Sequence, residues 1–343
     1  MVLQTGASQG TLTPDAALSL ASEDPELALR LNRGMSRVEE QLLVATAAED
    51  PFIAEAAGHL SAAGGKRFRP LLVLLAAQFG DPDASGVVPA AVVVELTHLA
   101  TLYHDDVMDE APRRRGAASA NERWGNAVAI LTGDYLFARA SEILADLGPA
   151  AVRLQAQTFQ RLCSGQIRET IGPSRGADPV AHHLSVLSDK TGSLIATSAR
   201  FGAMLSGAPS DAAEALTQFG ERIGVAFQLA DDLVDITSPG SASGKTPGTD
   251  LREGVLTLAG LYALQSRDPA DAALQELLLR PLVDDAEHAR ALELLRQHQA
   301  VDLARLEARR WADEARASLA PLAQLPAREA LHRLCDYVVG RTA

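Results

Sequence analysis

Three aspartates and three arginines crowd the stretch Tyr103 to Gly116: Asp105, Asp106 and Asp109, then Arg113, Arg114 and Arg115. On a helix, positions i and i+4 share a face, so Asp105 and Asp109 present their oxygens together, with Asp106 one residue's rotation away. Unaided, that cluster repels itself. A hard divalent cation removes the repulsion, and Mg²⁺ takes one or two carboxylates while completing its octahedron with water and phosphate oxygens. The arginines suit the same phosphates as bidentate clamps. The pattern fits a Mg²⁺-diphosphate site; taken alone, it fits a solvated helix cap with surface ion pairs as well.

A second copy separates the two readings. Asp231, Asp232 and Asp235 repeat the i, i+1, i+4 spacing, whereas Asp284-Asp285 has the doublet without a third aspartate and reads as a solvated helix start. The element carrying the first motif is an apolar helix expected from about Ala90 to Met108, with His98 on the face of Asp105 and Asp109, two turns below. A histidine in that setting is also an ordinary core residue. The second motif closes a helix expected from Ser210 to Ile236. Leu216, Phe219, Ile223, Phe227, Ala230 and Val234 form its core stripe, and Gly224, Gln228, Asp231 and Asp235 form a neighbouring polar one.

Two further segments could face the same place. Gly64-Gly65 allow a left-handed helix stop, and Lys66-Arg67-Phe68-Arg69-Pro70 then places cations in a tight loop before a helix expected to open at Pro70. Such a loop can wrap an anion, or simply cap a helix end. Lys190-Thr191-Gly192 interrupts an apolar helical pattern, and a break there frees backbone carbonyls. The stretch from Ser238 to Gly248, with Lys245, reads as a lid.

Composition points to helix throughout: aromatics are 4% and apolar residues 47% of 343 residues, ample for a sizeable core. A net charge of -13 argues against a nucleic-acid partner, so phosphate recognition is expected to be local. Cys163 and Cys335 are expected as buried free thiols, and no zinc spacing occurs. Residues 1–20 read as a mobile tail and 21–343 as one all-helical domain. No signal peptide is evident, and the apolar runs look too short to cross a bilayer. A cytoplasmic protein without membrane insertion is expected.

The motifs together resemble the trans-isoprenyl diphosphate synthases. The resemblance rests on Gly64-Gly65-Lys66-Arg67-Phe68-Arg69-Pro70, on Asp105-Asp106-x-x-Asp109 followed by Arg114-Arg115-Gly116, and on Phe227-Gln228-x-x-Asp231-Asp232-x-x-Asp235. It implies an all-α bundle of long helices around a central active-site cavity, a homodimer, and several Mg²⁺ ions. It implies that the six aspartates hold metal on an allylic diphosphate that Arg114 also contacts. Lys66, Arg69, His98 and Arg115 match positions that bind isopentenyl diphosphate. Lys190, Thr191 and Gln228 match those that stabilise the allylic cation, and Lys245 the lid lysine. Val255 stands where many relatives have lysine and Ala259 where they have proline, which puts a second lid cation in doubt.

The chemistry agrees with the residue types. Expelling diphosphate needs concentrated positive charge on the leaving group, and the carbocation needs dipoles such as Gln228 and the Thr191 carbonyl. A growing prenyl chain must thread between helices below the first motif, where Ala100 and Thr101 lie about one turn down. Both are small, so a medium- or long-chain all-trans product of the quinone-tail type is expected, with Tyr103 on the opposite side and Phe137 as one possible floor. A geranylgeranyl diphosphate synthase and a non-catalytic subunit of a heteromeric synthase are the alternatives. A terpene cyclase fits the second motif poorly.

Overall fold

The computed structural model describes residues 23–238 and 247–341. The expected tail over residues 1–20 and Lys245 of the expected lid lie outside them. Helices dominate: α1 Pro25–Thr46, α2 Pro51–Ala62, α3 Phe68–Ala76, α4 Val87–Met108, α5 Ala120–Trp124, α6 Asn126–Leu147, α7 Pro149–Ile171, α8 Pro179–Leu187, α9 Ser193–Leu205 and α10 Ser210–Thr237. After them come α11 Thr249–Glu253, α12 Leu258–Gln265, α13 Ala272–Leu278, α14 Asp285–Gln297, α15 Gln299–Ser318 and α16 Pro326–Gly340. Among the described residues, the only strands are β1 Arg113–Arg114 and β2 Ala117–Ala118, an antiparallel hairpin.

One local device starts several helices. Asp24-Pro25, Asp50-Pro51 and Asp178-Pro179 each place a carboxylate over orphan N–H groups, with Asp24 accepting from Leu27 N at 2.7 Å, Asp50 from Phe52 N at 2.8 Å and Asp178 from Val180 N at 3.0 Å. Proline follows where no N–H is needed. Asp284 caps α14 in the same way, accepting from Ala286 N and Glu287 N at 3.0 Å each, as expected of a solvated helix start. Helix α3 begins two residues before the expected Pro70 because Arg67, at φ 45°, already ends the loop.

Helix α4 runs through the main core, with Val92, Val93, Val94, Leu96 and Leu99 fully buried and α3, α6 and α9 packed on it. It is long and apolar enough to cross a membrane, contrary to the expectation from its apolar runs, but 72% of its apolar stretch is buried inside the fold. Helix α10 serves two clusters. Leu216, Phe219 and Ile223 join the core around α4, while Val225, Leu229 and Leu233 join a second one with α12, α13, α14 and α15. Four residues of its expected stripe, Leu216, Phe219, Ile223 and Ala230, are buried. Phe227 and Val234 are only half-buried. Cys335 is buried, but Cys163 is exposed, because α7 turns that face outward.

Candidate active site

The first motif forms the last turn of α4, with Asp109 at its C-cap. Asp106 is fully buried and takes Arg114 Nε on Oδ1 at 2.6 Å. Its Oδ2 is buried without a hydrogen-bond partner among the described residues. Burial raises the Asp106 pKa above the usual carboxylate range, with Arg114 opposing. Asp105 is pushed up to about 6 by burial, against the pull of Lys190 and with the help of Asp109. Burial thus outweighs the nearby cations at both carboxylates, a condition that a divalent cation would relieve.

The hairpin after α4 explains the arginines. Arg115 and Gly116 both have positive φ, 52° and 82°, as a two-residue type I′ turn requires. Folding back sends Arg115 onto the carbonyl of Leu60 at 2.8 Å and onto that of Gly64. Gly65 makes room for it, since a Cβ there would lie 2.8 Å from Arg115 Nη1. Arg115 therefore ties the hairpin to the glycine loop. Arg113, left without a role, donates to the Gly116 carbonyl at 2.6 Å.

The basic loop divides its cations. Arg67 is buried and bonded to Glu39 at 2.6 Å, Glu95 at 2.9 Å and the Ser61 carbonyl at 3.1 Å. Glu95, on α4, also lies 3.9 Å from Arg115. Arg69 keeps a buried Nε with no hydrogen-bond partner among the described residues, and burial lowers its pKa to about 10. His98 is held neutral, its pKa driven far below normal by burial and then by Arg69, Arg115, Arg114 and Arg67. Lys66 Nζ sits 5.5 Å from the centre of the Phe227 ring. The structure thus gathers Arg69, His98 and Arg115 near one another, with Glu95 as the buried counter-charge, while Lys66 lies against Phe227 of α10.

The opposite wall comes from α10 and the break before α9. Ser188–Gly192 is a π-helical turn, as the Lys190-Thr191-Gly192 interruption suggested, and π-turns recur at functional sites. It packs close to α10 because Gly192 faces Gly224, where a Cβ would stand 2.8 Å from Gly192 Cα. The approach brings Thr191 Oγ1 to 3.5 Å from Gln228 Oε1, while Gln228 Nε2 donates to Asp232 Oδ1 at 3.0 Å. Asp232 is raised well above the carboxylate range by burial and by Asp250, Asp231 and Asp235. Lys190 pairs with Glu169 of α7 and acts on Asp105 across the gap. Arg161 pins the π-turn, bonding Asp189 at 2.8 Å and Glu221 of α10 at 2.7 Å.

Among the described residues no three acidic, imidazole or thiol side chains converge so as to hold a metal ion by themselves, those of the two aspartate motifs included. Beneath the first motif Ala100 is fully buried, and Thr101 turns its hydroxyl onto the His98 carbonyl at 2.8 Å. Tyr103 does point away, donating to the Ala56 carbonyl at 2.5 Å. Phe137 stands 5.8 Å from the His104 ring and 4.4 Å from that of Phe159 on α7. Sequence reasoning passed over Glu95, Glu169, Arg161 and Arg341. Glu95 had a signal, a lone acid inside an apolar run; the other three are joined only by the packing.

The fold and site define a class. The chain belongs to the polyprenyl synthetase family, whose model matches residues 50–295, and its enzymes are prenyltransferases. It is 50% identical over 319 residues to a nonaprenyl diphosphate synthase of Mycobacterium tuberculosis, covering 93% of this chain and 95% of that one. A geranylgeranyl pyrophosphate synthase of Corynebacterium glutamicum, solved with calcium and isoprenyl diphosphate, superposes with a TM-score of 0.85 at 47% identity, covering 93% of this chain and 98% of that one. A decaprenyl diphosphate synthase of Rhodobacter capsulatus has a TM-score of 0.85 at 35% identity, covering 93% of this chain and 99% of that one.

Proposed function

We propose that this chain joins isopentenyl diphosphate head-to-tail to an allylic diphosphate, yielding a medium- or long-chain all-trans polyprenyl diphosphate. The observation that carries the reading is the pair of aspartate motifs on α4 and α10, with Asp106 fully buried and its Oδ2 without a partner among the described residues, and with Gln228 joining Asp232 to Thr191 of the π-turn. Asp105, Asp106, Asp109, Asp231, Asp232 and Asp235 would hold Mg²⁺. When bound, the ions supply positive charge on the leaving diphosphate oxygens.

Arg114, Lys190 and Lys245 add to that charge as the allylic carbon–oxygen bond breaks and its electron pair leaves with the diphosphate. Gln228 and the Thr191 carbonyl face the cation with dipoles that cannot trap it. Lys66, Arg69, Arg115 and neutral His98 hold isopentenyl diphosphate, whose double bond supplies the electrons of the new carbon–carbon bond. A proton then passes to the departing diphosphate. The chain returns to an allylic diphosphate one isoprene unit longer.

The small residues Ala100 and Thr101, together with the nonaprenyl diphosphate synthase relative, support a long product. One observation favours the short-chain alternative. About two turns below Asp105, Thr97 accepts from Gln155 Nε2 at 2.8 Å, and Thr158 bonds Thr197 at 2.5 Å, a buried polar layer across α4, α7 and α9. If the chain grows down that column, the layer is its floor. Incubating purified protein with an allylic starter, labelled isopentenyl diphosphate and Mg²⁺ decides between them. Products no longer than twenty carbons would sink the long-chain reading, and no turnover by the chain alone would favour a subunit of a heteromeric enzyme.

A cytoplasmic homodimer built from one domain over 21–343 completes the proposal. Ile130 and Leu131 on α6 and Val152, Phe159, Ile167 and Ile171 on α7 form an exposed apolar face, which a second copy would cover. Cys163 lies on the same helix.

A further inference from the structure

The residue after α16 reaches the second aspartate motif. The Arg341 side chain is only 6% exposed, and its Nη2 meets Asp231 Oδ1 at 2.5 Å. Its guanidinium carbon stands 5.1 Å from the centre of the Phe227 ring, the ring that Lys66 Nζ also approaches, at 5.5 Å. Nε and Nη1 are both buried with no hydrogen-bond partner among the described residues. A side chain that only pinned α16 to α10 would not need two idle buried donors, since each is costly.

We infer that Arg341 is a further residue of the substrate site: it balances Asp231 until a divalent cation takes that carboxylate, then turns its fork to the diphosphate beside Lys66. The inference rests on the metal and diphosphate reading above. The steps exclude one another in sequence. A guanidinium and a divalent cation repel on one carboxylate, so loading the metal frees Arg341, and a diphosphate offers the several acceptor oxygens that its planar donors match. Metal loading and capture of isopentenyl diphosphate are thereby coupled through one side chain.

The test compares the full wild-type chain with Arg341→Ala and Arg341→Lys. Calorimetric titration with Mg²⁺ alone at low salt should show Arg341→Ala binding the ion about threefold more tightly, because its competitor is gone. The KM for isopentenyl diphosphate at saturating allylic diphosphate should rise about tenfold, with the allylic KM unmoved. Arg341→Lys keeps the charge but not the fork, so its metal affinity stays near wild type while that KM still rises. Unchanged metal affinity or unchanged KM in Arg341→Ala overturns the inference, and so does an unchanged KM in Arg341→Lys should the alanine variant not fold. A wild-type chain that does not condense the substrates refutes the proposed function instead, and the Mg²⁺ titration still decides the Asp231 half.

Discussion

Replacing Glu95 by glutamine removes one negative charge from the place where three arginines meet. Glu95 is 1% exposed, bonds Arg67 at 2.9 Å, stands 3.9 Å from Arg115 and raises the pKa of Arg69. Breaking a buried ion pair from one side costs about 3–5 kcal/mol. Glutamine keeps an acceptor for Arg67, which also retains Glu39 and the Ser61 carbonyl, so the loss belongs at the low end, about 3 kcal/mol. For a chain of 343 residues that is a fall of roughly 4 °C in Tm. Thermal unfolding of metal-free wild type and Glu95→Gln at pH 7.5 measures it. Repeating the scan with inorganic diphosphate adds an anion where Arg69 and Arg115 lack one, so the gap should narrow. A Tm within about 1 °C of wild type would refute the idea that this carboxylate holds the cluster together.

Other outcomes follow from the same geometry. His98 is depressed far below its ordinary 6.5, so below that pH the unfolded chain gains a proton that the folded one refuses. Stability is therefore present above about pH 6.5 and lost as pH falls, and in melting scans from pH 7.5 to 5.5 His98→Gln should lose less than wild type. Ala100→Phe should shorten the product while leaving condensation intact, and unchanged chain length by chromatography would place the tunnel elsewhere. Lys190→Gln should lower kcat by about a hundredfold with little change in either KM, because its charge is needed as the leaving group departs. Leu131→Glu with Ile167→Glu should give a monomer by light scattering if α6 and α7 form the dimer face.

Much of the architecture was legible because helix ends announce themselves locally. Asp24-Pro25, Asp50-Pro51 and Asp178-Pro179 start α1, α2 and α8, and the interruption at Lys190-Thr191-Gly192 became the π-turn. The misjudgements were of exposure and range. Periodicity says that Cys163 lies on an apolar face of α7 but not whether that face meets the core or solvent. Reading apolar runs one at a time also hid how apolar α4 is along its whole length, because Glu95, the acid that interrupts them, is buried within the helix and neutralised by a loop some thirty positions upstream.

The same distinction governs the site. Motif spacing locates aspartates on α4 and α10, because both partners of an i, i+4 pair sit on one element. It says nothing about what neutralises them between elements. Glu169 reaches Lys190 from α7, Arg161 clamps the π-turn to α10, and Arg341 meets Asp231 from beyond α16. Each is an ion pair across helices that the fold alone brings together; those of Glu169 and Arg341 hold residues that the motifs identify, and that of Arg161 holds Asp189, the neighbour of Lys190. A family motif therefore marks the groups that touch substrate, while the counter-charges that set their affinity and order of engagement lie outside it. Variants of Glu95, Arg161 and Arg341 should consequently change KM values and metal affinity more than the chemical step, whereas a variant such as Lys190→Gln should do the reverse.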